Sequence, residues 1–385
     1  MNTEADARPL KILEVLEPSG GGSGRHFVDL CGALAGRGHR VTAVYSPRRA
    51  EPRFVEELTA LPLEAVLPVP MRRAPSPADF GAWRSIDAIV GARGPFDIVH
   101  GHSSKAGALI RLGWPGGGAR RIYTPHAFRT MDPTLGGVGR LVYGLIEGLF
   151  GRHLSDTVIC VSDDEYRHAI NGLKIPADRL ATVVNGVVMP PAGERDAMRA
   201  RLGLRPDSFA FGYIGRLSPQ KAPERLVKAF QRIASDRPNA ELAMIGFGEL
   251  EEDVKIQVME AHLSERVHLG AEVPGAEAMQ AFDALIMPSR YEAMSYVMLE
   301  AAAAGLPMVL TDVGGASTVV EHGVNGLIVP NSDNPTELAE AMLTISSPER
   351  HLAFRTAAAL RTNLFTLERM VGETETAYRR AVARK

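Results

Sequence analysis

Cysteine is nearly absent: only Cys31 and Cys160 occur in 385 residues. Both sit in apolar contexts, DLCGALAG and VICVS, with no CxxC pair or Cys/His cluster beside them. That excludes a disulfide framework and a cysteine-based zinc site, and it predicts two buried thiols. No run of about 18 uncharged apolar residues occurs, so no membrane-spanning helix is expected. The start MNTEADARPLKILEVLE lacks a basic segment followed by an apolar one, so no secretory leader is expected and the chain is placed in the cytoplasm. Net charge of one sign is also scarce, at −2, and nowhere do basic and aromatic residues interleave as they do in nucleic-acid binders.

The apolar share of 45 % and the charged share of 23 % are those of a soluble globular chain. The length is too great for one compact α/β core and suits two domains of ordinary size. Charge divides unevenly: residues 1–190 carry 22 Lys/Arg against 19 Asp/Glu, and residues 191–385 carry 21 against 26. Arg72, Arg73, Arg120, Arg121, Arg379, Arg380, Arg384 and Lys385 therefore either form a basic surface toward anionic lipid or are ordinary solvated residues.

Short β-branched runs alternate with helical-period segments almost from end to end, the pattern of βαβ units with parallel sheets. In the first series KILEVLE (11–17), RVTAVYS (40–46), FDIVHGH (96–102), RRIYTPH (120–126) and TVICVS (157–162) read as strands. Helices are expected to begin near Gly24, Phe80, Lys105, Gly137 and Asp163. NGVVMPPAGER, with Pro190, Pro191 and Gly193, reads as an extended interdomain linker. A second series follows with FAFGYIG (209–215), ELAMIG (241–246), ALIMPS (284–289), PMVLTD (307–312) and GLIVP (326–330). Its expected helices are Ala222–Ser235, Glu249–His262, Tyr296–Ala304 and Thr336–Ile345. PVPMRRAPSPADF (68–80) reads as a long irregular loop, either a plain connector or a place for an acceptor.

SRYEAMSYVMLEAAAAGLP carries the strongest chemical signal. Ser289 ends a buried strand, Arg290 to Met294 cross its carboxyl edge, and Ser295 caps a helix that stops at Gly305 before Pro307. Parallel sheets bind ligands at that edge, and a helix N-terminus offers unpaired N–H groups to an anion. A diphosphate fits the amides of Ser295, Tyr296 and Val297. Glu292 before the helix and Glu300 inside it stand roughly 10 Å apart along the axis, and they would flank the diphosphate as acceptors for sugar and ribose hydroxyls. Solvent-facing helix-end charges are the alternative for both. Near the start, Gly20, Gly21 and Gly22 follow a strand and let backbone amides approach a phosphate, or else form a tight turn. The run is not GxGxxG, and no acidic residue ends the second strand where a nicotinamide ribose needs one.

With E-x7-E after a strand and A-x-G-x-P behind it, the chain resembles the retaining glycosyltransferases of family 4, which have the GT-B fold. PSGGGSGRH, TPHAF, VICVS, VVNGV, YIGRLSPQK, IGFGE and TDVGG occur in the family's order, so the resemblance covers essentially the whole chain. It implies an α/β architecture of two facing Rossmann-like domains with parallel sheets and an interdomain cleft. These would be an acceptor-side domain, 1–190, and a nucleotide-sugar domain, 191–365, with a C-terminal helix of about 366–385 packing back on the first. Leu367, Met370, Val371 and Tyr378 give that last segment helical spacing, which an ordinary amphipathic helix has too.

By the same resemblance Arg216 and Lys221 of GRLSPQK bind the diphosphate, and His126 lies close to the donor sugar. Ala127 stands where the family commonly has Asp, and Glu249 where it usually has Pro. The resemblance also implies catalytic roles for His126, Arg216, Lys221 and Glu292. Gly20, Gly21, Gly22, Gly215, Gly246, Val273, Met294, Ser295, Tyr296, Val297 and Glu300 would bind the donor. No metal or other cofactor is expected, because Arg216 and Lys221 replace a divalent cation and no well-placed D-x-D occurs; Asp163 and Asp164 are adjacent. The expected partners are a nucleoside-diphosphate sugar, a glycan or lipid-linked saccharide acceptor in envelope or exopolysaccharide synthesis, and an anionic membrane surface. A GT-B epimerase, a phosphorylase and a catalytically silent sugar-nucleotide binder are the alternatives.

Overall fold

The computed structural model describes residues 8–113, 118–188, 194–270 and 273–384. Pro190, Pro191 and Gly193 of the expected linker lie outside them, as do Ala271, Glu272 and Lys385. The chain divides into two compact units, residues 1–186 with 367–385, and residues 187–366.

The first unit holds strands β1 (Lys11–Leu16), β2 (Arg40–Tyr45), β3 (Ala65–Pro68), β4 (Ile98–His102), β5 (Arg120–Thr124), β6 (Thr157–Cys160) and β7 (Leu180–Thr182). Between them run α1 (Gly21–Gly36), α2 (Pro52–Thr59), α3 (Ala78–Arg93), α4 (Ser103–Leu112), α5 (Gly137–His153) and α6 (Asp163–Asn171). All pairs in its sheet are parallel, in the order β3-β2-β1-β4-β5-β6-β7. The order reverses beside β1, and the gap between β1 and β4 at the carboxyl edge is where such sheets take ligands.

The second unit begins with α7 (Arg195–Arg201), β8 (Phe209–Ile214), α8 (Pro223–Ile233), β9 (Ala240–Ile245), α9 (Glu251–Glu260) and β10 (Val267–Leu269). It continues through α10 (Gly275–Ala278), β11 (Ala284–Met287), α11 (Tyr296–Ala303), β12 (Met308–Thr311), α12 (Ala316–Val319), β13 (Gly326–Val329), α13 (Pro335–Ile345) and α14 (Pro348–Ala359). Its parallel sheet has the order β10-β9-β8-β11-β12-β13, with the reversal between β8 and β11. The last helix, α15 (Leu367–Ala383), belongs to the first unit, where Met370, Val371 and Tyr378 are wholly buried with Ile12, Leu16 and Leu30.

Several elements differ from the sequence reading. Helix α1 starts at Gly21, not near Gly24, α3 at Ala78 and α4 at Ser103; α8 and α9 are each shorter than expected at both ends. The irregular loop shrinks to residues 69–77, because Ala65–Pro68 pairs along β2. Strands β3, β7 and β10 are three or four residues long, too short to show an alternation. Helices α2 and α14 open on Pro52 and Pro348. Proline in the first turn of a helix is favourable there, but in a sequence it reads as a breaker.

Candidate functional site

In the second unit the loop after β8 and the loop after β11 lie side by side at the switch point and are tied together. The Arg290 N–H donates to the Gln220 carbonyl at 2.8 Å, and Gln220 Nε2 donates to the Tyr291 carbonyl at 3.1 Å. Between them Lys221 Nζ meets Glu292 Oε1 at 2.6 Å, with side chains only 14 % and 7 % exposed. Arg216, in the same loop, is exposed and its guanidinium lies 3.5 Å from Gln220 Oε1. Arg290 is a staple instead: it bonds Glu224 at 2.6 Å, Asp333 at 2.9 Å and the Pro219 carbonyl at 2.7 Å.

Ser295 sits at the N-cap of α11, buried, with an extended backbone and without a side-chain capping bond. Tyr296 and Val297 form the first turn, Met294 is buried just before it, and Glu300 lies one turn further on. The loop after β9 closes on Gly215: a Cβ on Gly246, whose φ is 137°, would stand 2.0 Å from the Gly215 carbonyl oxygen. Gly246 therefore has two reasons to lack a side chain. Next to it Phe247 is 78 % exposed, while its carbonyl accepts from the Leu217 N–H. Val273 is buried. The site in this unit thus gathers Gly215, Arg216, Lys221, Gly246, Glu292, Met294, Ser295, Tyr296, Val297 and Glu300 along the carboxyl ends of β8, β9 and β11. Phe247 is the addition that sequence reading passed over; an aromatic between two glycines of a loop was its only mark.

In the first unit Gly20 is the N-cap of α1, and Gly21 and Gly22 are its first residues. The Gly21 N–H donates to Glu51 Oε1 at 3.1 Å, so a phosphate there would compete with a carboxylate already in the anion position. His126 follows β5 in a left-handed turn, with φ 52° at His126 and 89° at Ala127. Such backbone costs energy in a non-glycine residue and is held by its surroundings. Glu165, wholly buried on α6, does the holding: it accepts from Ala127 N–H at 2.8 Å and Val161 N–H at 2.7 Å. Burial pushes its carboxyl up from 4.5 to about 7, against the backbone N–H groups of Val161, Ala127 and Phe128 that favour the ionised form. The folded state then holds the proton more tightly than the unfolded one. Its contribution to stability is complete below about 4.5 and is lost as pH rises through about 7. Glu165→Gln should flatten that part of the stability curve. It should also cost about 1–3 kcal/mol at pH 5, because the amide accepts only one of the N–H groups. Urea midpoints of both proteins at pH 5 and pH 8 check this.

Behind His126 lies a buried cluster that sequence reading missed. His102 Nε2–H donates to Glu14 Oε2 at 2.8 Å, and the Tyr378 hydroxyl donates to Glu14 Oε1 at 2.8 Å. His100 bonds the Tyr378 hydroxyl at 2.6 Å and Thr124 Oγ1 at 2.8 Å. Burial opposes the charge on Glu14, but His100 and His102 outweigh it and hold the carboxyl below its ordinary range. His102 is lowered to about 4 by burial and by His100. A neutral His102 that donates through Nε2 has a lone pair on Nδ1, so His126 Nε2, 3.1 Å away, must be the donor to it. His126 is left with Nδ1 as an acceptor. The signal was HxH in a strand, since residues two apart share a face; Glu14 pairs with His100 in the β1–β4 register.

Helix α5 is built inside out. Val138, Leu141, Val142, Leu145, Ile146 and Leu149 form one stripe at helical spacing, between 41 % and 81 % exposed, while Glu147, Gly148 and Gly151 face inward. A Cβ on Gly148 would stand 2.7 Å from the Leu173 carbonyl oxygen, so the helix lies close to the domain by its glycines. By contrast, Arg120 and Arg379, counted as lipid-facing candidates, pair with Asp156 at 3.2 Å and Glu375 at 2.7 Å. No helix among the described residues is long and apolar enough to cross a membrane.

Two family models match the chain: "Glycosyl transferase 4-like domain" over residues 21–186 and "Glycosyl transferases group 1" over residues 194–361. The UDP-Gal:α-D-GlcNAc-diphosphoundecaprenol α-1,3-galactosyltransferase of Escherichia coli is 29 % identical over 247 residues, 62 % of this chain and 63 % of that protein. The match therefore spans less than two thirds of that relative. Among solved structures, a glycosyltransferase from Rickettsia africae superposes with a TM-score of 0.80 at 18 % identity, covering 98 % of this chain and all of that one. Anabaena HepE in complex with UDP and glucose gives 0.78 at 19 %, covering 96 % and 99 %. At these identities the two structures show the fold.

Proposed function

Starting from a chain that belongs to the group 1 glycosyl transferases and has the GT-B fold, we propose a retaining transfer from a nucleoside-diphosphate sugar to a lipid-linked saccharide at a membrane surface. The observation that carries the donor half is the Lys221–Glu292 pair at the β8/β11 switch point, with Arg216 in the same loop and the head of α11 behind it. As the sugar leaves, negative charge builds on the diphosphate. Lys221, held by Glu292, and the α11 amides meet that charge in set positions and Arg216 adds an exposed cation from the same loop, an arrangement that lowers such barriers. This is why the diphosphate needs no divalent cation. Glu292 takes sugar hydroxyls, Glu300 the ribose, and the Gly246 loop with Val273 the base; UDP in the Anabaena complex and UDP-Gal in the Escherichia coli name favour uridine.

The acceptor hydroxyl attacks on the face the diphosphate leaves, its proton passing to a departing phosphate oxygen, so the anomeric configuration is kept. His126 offers Nδ1 to a substrate hydroxyl. Proton NMR of the first product formed from a UDP-sugar tests retention: an inverted anomer overturns it. UDP-, GDP- and ADP-sugars compared by thermal shift identify the donor, because a ligand of the native state raises Tm by mass action.

The α5 stripe supports the acceptor half. A contiguous exposed apolar face of six side chains marks an interaction surface, and it suits contact with a lipid interface. The Escherichia coli relative's name specifies a diphosphoundecaprenol-linked acceptor. Leu141→Glu with Leu145→Glu should reduce co-sedimentation with anionic vesicles by about tenfold or more while leaving Tm within a few degrees, since both side chains face solvent. Unchanged pelleting overturns the membrane contact.

A further inference from the structure

We propose that His26, His102 and His126 form a binding site for one divalent cation of the zinc class, in the first unit and apart from the diphosphate residues of the second. A metal-free chain was expected because Arg216 and Lys221 face the diphosphate; that expectation does not bear on this cluster.

The ligand atoms of the three imidazoles all lie within 4.8 Å of one another. His102 Nδ1 and His126 Nε2 are 3.1 Å apart, close to the roughly 3.3 Å between two nitrogens held tetrahedrally at about 2.0–2.1 Å from zinc. His26 reaches the group from α1 with its ring centroid 4.6 Å from that of His126 and 5.4 Å from that of His102. Its Nδ1 is buried and makes no hydrogen bond among the described residues, with the Asn185 side chain as its polar neighbour.

Two further features match a metal site. Metal-bound histidines give their other ring N–H to a carboxylate, which fixes ring and tautomer. His102 does this to Glu14, itself held by Tyr378. A ligating imidazole must also offer a lone pair, and His102, which donates through Nε2 to Glu14, has one on Nδ1. His26 and His102 are buried, whereas His126 is partly exposed, so the fourth position opens on the His126 side. The neighbouring set Glu14, His100 and His102 is buried throughout, with no partly exposed member to leave a position open. It is therefore the support and not the site.

A cation on His126 Nε2 moves that ring's proton to Nδ1 and turns His126 from acceptor to donor toward substrate oxygen. This last consequence rests on the function proposed for His126; the binding itself does not. The test uses the whole chain purified without chelator or metal-affinity resin. Elemental analysis should find about one equivalent of zinc-class metal per chain. Chelator-treated protein given Co2+ alone should develop the visible absorption of a tetrahedral nitrogen site, and its Tm should rise. His26→Gln should weaken Co2+ binding by at least about tenfold, and Glu14→Gln by about 10–100-fold. Because Glu14→Gln risks the fold, the wild-type titration stands as the decisive measurement. A folded wild type without bound metal, cobalt absorption or Tm response overturns the proposal, even if it transfers sugar. Metal binding without donor binding overturns the function and leaves the site.

Discussion

Lys221→Ala should lower kcat/KM for donor turnover by about 10²–10³, the usual result of removing one preorganised donor from a developing anion. Most of the loss should fall on kcat, because the charge Lys221 faces grows in the transition state. The structure adds a complication: without Lys221, Glu292 is left 7 % exposed and unpaired. Part of any loss would then come from a repelled diphosphate and a local stability cost of about 1–3 kcal/mol. Glu292→Gln separates the effects, since it keeps an acceptor for a sugar hydroxyl while removing the charge that binds Lys221. The single variants should each lose activity, and the double variant should lose less than their product, as residues in contact do. Lys221→Ala with full activity at saturating donor would sink the assignment.

That pairing was partly legible. The position of both residues at one sheet edge follows from strand order and motif, since GRLSPQK leaves β8 and SRYEAM leaves β11. Their direct 2.6 Å contact does not, because it depends on Gln220 bonding both neighbouring backbones. The ten expected strands are present, most of them as apolar runs buried on both faces, with β13 a half-buried edge strand among the ten. The three extra ones are edge or near-edge segments whose pairing comes from tertiary context. His126 was legible as a strand-end residue. The cluster behind it was hidden because Glu14 and His100 stand inside strands that read as apolar, and because Tyr378 arrives from a helix 364 residues away from Glu14 in sequence. The stripe on α5 was written in the sequence at helical spacing. Only the structure shows that the glycines, not the leucines, face inward.

Arg111→Met should cost about 3–5 kcal/mol, the largest stability effect expected from one side chain here, because it strands a buried charge. Arg111 on α4 and Glu147 on the inner face of α5 are 1 % and 4 % exposed and meet at 2.9 Å. Arg111 also donates to the Gly107 carbonyl at 2.8 Å and lies over the Tyr123 ring at 3.8 Å, while the Tyr123 hydroxyl donates to Glu147 at 3.1 Å. Methionine keeps much of the packing on Tyr123 and Phe150, so the loss reads the charge more than the volume. Arg111→Met with Glu147→Leu should recover most of it, since replacing both members of a buried pair by apolar groups is often neutral or better. The pair also holds α5 by its inner face while the outer face carries the apolar stripe. In the single variant, vesicle binding should therefore fall along with the urea midpoint, because the stripe needs an ordered helix to present it. In the double variant both should return. Recovery of the midpoint without recovery of vesicle binding would show that the ion pair sets the pose of α5 and not only its stability.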